Sequence, residues 1–384
     1  MAAGTRSYEF ARRLVRDGHE VHMVTSDRTG TKARNEVIDG IHVSWIPVSY
    51  SNEMSFARRM WAFLLFAVLA TLEGIKTRPT VVFATSTPLT IVIPALIIKW
   101  MKRVPMVFEV RDLWPEMPIA VGALSNPVLI RIARGMEKIA YRQSKNVIAL
   151  SPGMKDGIVA TGYPETQVVV VPNGSDVESF VIDQQRGKDW LAKQDWYQGG
   201  KIVLYAGTLG LVNGVEYLVD VAKAARELEP SITFLIVGAG KESTEIRQKA
   251  EELGLLGHQV IMLGAMQKKE IPVVYSVASV ATSLFRPIPE MENNSANKFF
   301  DALAAGIPVA INYGGWHERL LRENHCGLRL SRDPEKGAEE LANFLNDQAQ
   351  LLSAGSNAKQ LAVREFARDK LYDDFLDVLV SSAG

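Results

Sequence analysis

The chain has 384 residues, 43 basic and 43 acidic side chains, and 47% hydrophobic content. The balanced charge gives no electrostatic footprint for nucleic acid, and the length predicts two domains rather than one core. One cysteine, Cys326, excludes an intramolecular disulfide and suits a reducing compartment, and the six histidines form no Cys/His cluster with metal-ligand spacing.

In chain order, a helix over 5–17 with Phe10, Leu14 and Val15 as its apolar face precedes a strand over 20–25. A helix of a parallel sheet is normally fed by a strand, so the pattern reads either as 15–20 residues, including a first strand, missing ahead of residue 1 or as a sheet that starts with a helix. Strands are then expected over 41–47, 80–84, 106–110, 146–150 and 167–171, alternating with helices over 56–75, 88–102, 127–143 and 153–160. Such alternation predicts a parallel sheet covered on both faces.

The run Met60–Leu72 is strongly apolar, shorter than a bilayer span, and flanked by Arg58, Arg59, Lys76 and Arg78. It reads either as a packing helix or as a helix dipping into an anionic membrane surface, to which 89–98 and the basic residues after it could add. The polar stretch 177–200 reads as a connector. A second α/β series follows, with strands over 202–206, 233–237, 260–262, 280–284 and 309–311, helices over 214–228, 241–253, 267–277 and 297–305, and a helical stretch over 333–380. The expected organisation is an N-terminal Rossmann-like domain (1–176), a linker (177–200), a second Rossmann-like domain (201–360) and a C-terminal helix (361–384) packing back on the first.

The chemistry concentrates in NNSANKFFDALAAGIP, 293–308. A polar loop runs into a helix with Lys298 in its first turn and Asp301 one turn on, followed by a Gly-Ile-Pro stop. A cation is unfavourable at a helix N-terminus unless an anion offsets it, and that N-terminus itself gathers anions. Lys298 therefore reads as a diphosphate contact and Asp301 as an acceptor of sugar hydroxyls.

Gly207, Thr208 and Gly210 follow the first strand of the second series, where glycine lets backbone amides approach a ligand. Gly238 opens a Gly-Ala-Gly loop that lacks the third glycine and the acidic residue of a dinucleotide fingerprint, and reads as a mononucleotide contact or a plain turn. Arg286, at a strand end, reads as a phosphate clamp or as an ordinary surface arginine. Gly314 and Gly315 offer further backbone N–H groups. In the first half, Arg111 and Asp112 fall just past a strand's carboxyl end, and Asn173-Gly174-Ser175-Asp176 is a second strand exit.

With these motifs on view, the chain resembles glycosyltransferase family 4, retaining nucleotide-sugar transferases of the GT-B fold. The resemblance runs from AAGTRSYEFARRLVRDGHEVHMVT through VPNGSD to the second domain. FEVRDLWPE, YAGTLGLVNGVEYLV and ENNSANKFFDALAAGIPVAINYGGW look closest to the bacterial envelope-polysaccharide branch that handles N-acetylated aminosugars. It implies two Rossmann-like domains facing a cleft, with the first strand of the N-terminal one missing. Asp301 matches the second acid of the family's acidic pair, implying a ribose contact. The first acid would fall at Asn293, with Glu292 one position off, and Asn293 can still bond a hydroxyl. Asn213 stands where many members carry a phosphate-binding basic residue, so neutralisation would shift to Lys298, Arg286 and backbone amides. Gly4 and Thr5 remain of the acceptor-side loop.

The implied reaction transfers a sugar from a UDP-sugar to a lipid-linked or saccharide acceptor in lipopolysaccharide, O-antigen or exopolysaccharide synthesis, with no metal and no cofactor besides the donor. The catalytic candidates are Lys298, Arg286, Asp112 and Arg111. The donor-binding candidates add Asp301, Asn293, Asn297, Gly207, Thr208, Gly210, Gly238, Gly314 and Gly315. The enzyme would be cytoplasmic, peripheral on the inner face of the membrane, with a polyprenyl-linked acceptor as partner. A nucleotide-sugar 2-epimerase and a non-catalytic nucleotide-sugar-binding protein are the alternatives.

Overall fold

The computed structural model describes residues 6–27, 32–51, 54–86, 88–182 and 184–384. It divides into two compact units. One takes the chain to Pro172 together with Tyr372–Gly384, and the other spans Asn173–Leu371.

In the first unit, helices α1 (Arg6–Arg16), α2 (Phe56–Ile75), α3 (Val92–Lys102), α4 (Glu116–Ala120), α5 (Pro127–Gln143) and α6 (Pro152–Ala160) alternate with strands. Strands β1 (His22–Ser26), β2 (Arg34–Ile38) and β3 (Ile41–Ile46) form one sheet, ordered β1-β3-β2. Strands β4 (Val82–Thr85), β5 (Met106–Val110), β6 (Asn146–Ala149) and β7 (Val168–Val170) form a separate parallel sheet in sequence order. This departs from a single parallel sheet. β2 was not foreseen and runs antiparallel to β3, since its sequence RNEVI is polar and mostly exposed. Among the described residues β1 and β4 each end a sheet. The strand expected ahead of α1, and the candidate residues Gly4 and Thr5, lie outside the described residues.

All five residues of β5 are buried, as expected of a central parallel strand. Its Glu109 pairs with the buried Arg6 at 2.7 Å and accepts from Thr85 Oγ1 at 2.7 Å. The Arg6 guanidinium also donates to the Val171 carbonyl at 2.7 Å, so its remaining donors are not left unsatisfied. The last helix closes this unit's core: Phe375 stacks on Phe10 and meets Phe83 edge-on, and Tyr372 Oη donates to Asp17 at 2.7 Å.

The second unit carries α7 (Gln184–Leu191), α8 (Glu216–Leu228), α9 (Ser243–Glu252), α10 (Ile271–Ser276), α11 (Asn297–Ala305), α12 (Trp316–Asn324), α13 (Pro334–Asn346), α14 (Gln348–Leu361) and the start of α15 (Arg368–Ala383). Its strands are β8 (Ile202–Ala206), β9 (Thr233–Val237), β10 (Val260–Leu263), β11 (Val280–Ser283), β12 (Val309–Ile311) and β13 (Gly327–Arg329). They form one parallel sheet in the order β10-β9-β8-β11-β12-β13. The fully buried runs IVLYA and TFLIV place β8 and β9 at its centre. The order reverses direction at β8, whose neighbours are β9 and β11, and a parallel sheet binds ligands outside the strand ends at such a point.

Residues 177–200 are not an open connector. They contain a 3-10 turn, Val177–Phe180, and α7, and Phe180 packs edge-on to the buried Tyr275. Their apolar contacts are spaced too sparsely along a polar sequence to announce themselves. α12 is short and rich in charge, and β13 is only three residues long, so neither carries a strong sequence signal.

Candidate functional site

The site assembles at the carboxyl ends of β8 and β11 and at the N-terminus of α11. Ala296 precedes α11 without a side-chain cap, so the first-turn N–H groups have no capping side chain. Asn297 opens the helix and is exposed. Gly306, in the left-handed region, ends it before Pro308.

Lys298 is half-buried in that first turn. Its Nζ donates to Tyr205 Oη at 3.0 Å and to Asn213 Oδ1 at 2.7 Å, and lies 4.7 Å and 5.2 Å from the Tyr205 and Phe285 ring centres. Tyr205 Oη in turn donates to the Thr208 carbonyl at 2.8 Å. Among the described residues no carboxylate lies within ion-pair distance of Lys298. Two of its three donors are used. Burial lowers its pKa to about 7. An ammonium held by neutral groups, with a donor to spare, at a helix N-terminus, is built to meet an anion.

Asp301 lies one turn along the same helix. Its Oδ1 accepts from Ser175 Oγ at 2.7 Å, and no residue among those described hydrogen-bonds its second oxygen. Burial raises its pKa to about 6, against the Ser175 hydrogen bond and the nearby Arg368 charge, which lower it. Arg368 is itself paired with Asp176 at 3.1 Å. The Asn173-Gly174-Ser175-Asp176 segment thus fixes α11 from below: the Asn173 N–H donates to Ser295 Oγ at 2.9 Å and its side-chain amide to the Ser295 carbonyl at 2.6 Å.

Arg286, the candidate phosphate clamp, is partnered within the protein. Its guanidinium pairs with Glu242 at 2.8 Å and Glu216 at 3.2 Å. Glu242 is buried, which raises its pKa while Arg286 holds it down. The arginine's charge is therefore offset within the protein, and Lys298 is left as the uncompensated cation. Neither glutamate stood out in sequence, because both sit at ordinary helix N-terminal positions.

The glycines divide by steric demand. A methyl group on Gly238 would lie 1.9 Å from the Gly207 carbonyl oxygen, so Gly238 lets two loops touch backbone to backbone. This gives it a packing role. A methyl on Gly207 would meet nothing closer than 3.5 Å and would reach 3.7 Å from Lys298 Cδ, over the ammonium's own stem. At Gly210 the space is likewise open, and Thr208 is exposed. Gly315, at a φ of 90°, and Gly314 receive the Glu292 segment: a methyl on Gly315 would strike the Glu292 carbonyl oxygen at 2.3 Å, and one on Gly314 its carboxylate at 3.2 Å. Glu292, not Asn293 beside it, therefore presents a carboxylate to the Gly314-Gly315 turn. His317 is a core residue: it stacks on Phe299 at 4.0 Å, bonds Tyr313 at 2.9 Å, and burial pushes its pKa down to about 3.

Arg111 and Asp112 belong to the first unit, at the carboxyl end of β5, and both are half-buried. The Arg111 N–H donates to Ser86 Oγ at 2.9 Å. No metal-holding group of three or more His, Cys, Asp or Glu occurs among the described residues.

Residues 2–174 match the Glycosyl transferase 4-like domain, and residues 188–361 the domain described as Glycosyl transferases group 1. The chain belongs to glycosyltransferase family 4. It is 29% identical over 134 residues to a putative colanic acid biosynthesis glycosyl transferase, WcaI, of Escherichia coli, covering 35% of this chain and 32% of that protein. Over 250 residues it is 23% identical to the GalNAc-alpha-(1->4)-GalNAc-alpha-(1->3)-diNAcBac-PP-undecaprenol alpha-1,4-N-acetyl-D-galactosaminyltransferase of Campylobacter jejuni, covering 62% of this chain and 66% of that one. Matches to curated relatives thus span between about a third and two thirds of those proteins' lengths. The crystal structure of Anabaena HepE with UDP and glucose aligns at a TM-score of 0.69 and 17% identity, over 89% of this chain and 87% of that one. That likeness establishes the GT-B architecture of two Rossmann-like units.

Proposed function

We propose that this glycosyltransferase moves a sugar, of the N-acetylated amino type, from a UDP-sugar to a lipid-linked or saccharide acceptor in envelope-polysaccharide synthesis, with retention at the anomeric carbon. The observation that carries the reading is Lys298: a half-buried ammonium, facing only neutral partners, at the uncapped start of α11. The relatives support the substrate classes, since one is named for an undecaprenol-linked acceptor and the HepE complex contains UDP.

The donor diphosphate would take the spare Lys298 donor and the α11 N–H groups, while the second oxygen of Asp301 receives ribose hydroxyls. As the bond from the anomeric carbon to the phosphate oxygen breaks, negative charge grows on the diphosphate, where a preorganised cation and dipole stabilise it most. The acceptor oxygen bonds the anomeric carbon from the face the diphosphate leaves, and its proton passes to a diphosphate oxygen. Fixed charge takes the place of a metal ion. Arg111 and Asp112 would orient the acceptor, and the reaction would run at the cytoplasmic face of the membrane.

A screen of UDP-sugars against polyprenyl-diphosphate-linked and free saccharide acceptors tests this. Asp301→Ala and Lys298→Ala should each cut transfer by about tenfold or more, the scale of one charge-assisted contact. Unchanged rates in both variants would overturn the site assignment.

A further inference from the structure

In α2 five large apolar side chains point outward, while Phe66 and Leu69 pack beside the small inward-facing residues in the core. Trp61, Leu64, Leu65, Val68 and Leu72 are all exposed, Trp61 at 69%. Their spacing of three or four residues sets them on one face. The opposite face carries Ala62, Ala67, Ala70 and Gly74, all buried. Gly74 is needed there, since a methyl group at that position would strike Ile98 of α3 at 2.1 Å. A helix that only packs on its own domain keeps its outer face polar, whereas α2 is apolar on both faces.

The patch continues onto the end of α3, where Trp100 and Met101 are each 58% exposed. The stretch 89–98, expected to join such a surface, is instead largely core, with Leu89, Val92, Ala95 and Leu96 buried. Both ends of the patch are basic. Arg58 precedes the stripe, Arg78 follows it, and Lys102 and Arg103 follow Trp100; among the described residues none of these four pairs with a carboxylate. Glu73 is the one acid in α2 and α3, and Lys76 neutralises it at 2.6 Å. The neighbouring α5 repeats the pattern, with Val128, Ile132 and Ile139 exposed among Arg131, Lys138 and Arg142.

We infer that this face of α2 and the end of α3 form a docking surface for an anionic bilayer, with α2 lying in the interfacial plane. Among the described residues no helix is long and apolar enough to cross a membrane. Bulky apolar residues with tryptophans at the margin enter the acyl boundary, and unpaired arginine and lysine meet anionic headgroups. A second copy of the chain would bring the same four cations against one another, so charge favours lipid over self-association. The inference deepens the proposed reaction at the membrane by naming the surface that would hold the enzyme there, and its test reads vesicle binding rather than transfer.

Vesicle sedimentation of the full chain tests it, comparing phosphatidylcholine with added phosphatidylglycerol against phosphatidylcholine alone. Preferential sedimentation with the anionic vesicles is expected, weakening with salt. Leu65→Ser with Val68→Ser should lower the partition coefficient by about tenfold or more. Arg58→Glu with Arg78→Glu should lower it comparably on anionic vesicles alone. All four side chains are exposed, so melting curves should match the parent and show that the variants fold. Transfer to a soluble acceptor should be unchanged by Leu65→Ser with Val68→Ser, which separates this surface from the donor site. No sedimentation with either vesicle, equal sedimentation of parent and variants, or an apolar-face-dependent dimer without vesicle binding would each overturn the inference.

Discussion

The Lys298 ammonium donates to the Asn213 side-chain oxygen at 2.7 Å, across 85 residues of sequence. Asn213 lies in the turn after β8 and Lys298 in the first turn of α11, so the contact joins two adjacent segments that each reach the switch point of the sheet. A neutral amide holds the cation in place without cancelling its charge, which leaves that charge for a ligand.

The pH dependence of donor binding follows. Burial depresses the Lys298 pKa to about 7, so the free protein loses the ammonium as pH rises through 7. UDP affinity, measured by calorimetry, should fall as pH rises from 6 to 8, and binding near pH 7 should take up protons. Stability runs the other way: above pH 7 the unfolded chain holds the lysine proton and the folded chain does not, so this group favours folding increasingly up to its ordinary pKa near 10.5. A UDP affinity that stays flat across the interval would contradict the lysine's role.

Lys298→Met separates binding from folding. Removing a poorly solvated charge without an ionic partner should leave the melting temperature unchanged or raised at pH 6. UDP affinity should drop by about tenfold or more. A variant that melts much lower would mean that the lysine serves the core.

For Asp301 the comparison is between UDP and 2′-deoxy-UDP. Asp301→Ala should weaken UDP by about tenfold and leave the deoxy analogue nearly unaffected, because the lost contact is to a ribose hydroxyl. Equal losses for both nucleotides would place the carboxylate elsewhere.

Gly238→Ala and Gly207→Ala should part company. The first drives a methyl to 1.9 Å from a backbone oxygen and should destabilise by about 3 kcal/mol or more in denaturant titration. The second makes only ordinary contacts, at 3.5 Å to Tyr205 Oη and 3.7 Å to Lys298 Cδ, and should change stability by less than about 1 kcal/mol.

Arg286→Ala leaves the buried Glu242 without its partner and should cost about 3 kcal/mol. Adding Glu242→Gln should recover much of that loss, as thermal melts of the single and double variants would register. Losses that simply add would show that the pair is not coupled.

What the sequence determined by itself is local and periodic. The runs IVLYA of β8 and FLIV of β9 read as central strands, because four or five consecutive apolar residues next to turn signals leave no solvent face. The start of α11 at Asn297 and its stop at Gly306 were legible for the same reason: dipole, left-handed glycine and proline act within a few residues. Lys298 and Asp301 were therefore placed on one helix face from spacing alone. Tertiary structure decided their environments. Asn213 and Tyr205 hold Lys298, Ser175 holds Asp301, and Glu242 claims Arg286, through contacts spanning 44 to 126 residues. No local pattern encodes such contacts, because chain order does not record which loops a parallel sheet brings together at its switch point. The same cause gave Gly238 to packing and left space at Gly207, two glycines alike in sequence and opposite in what surrounds them.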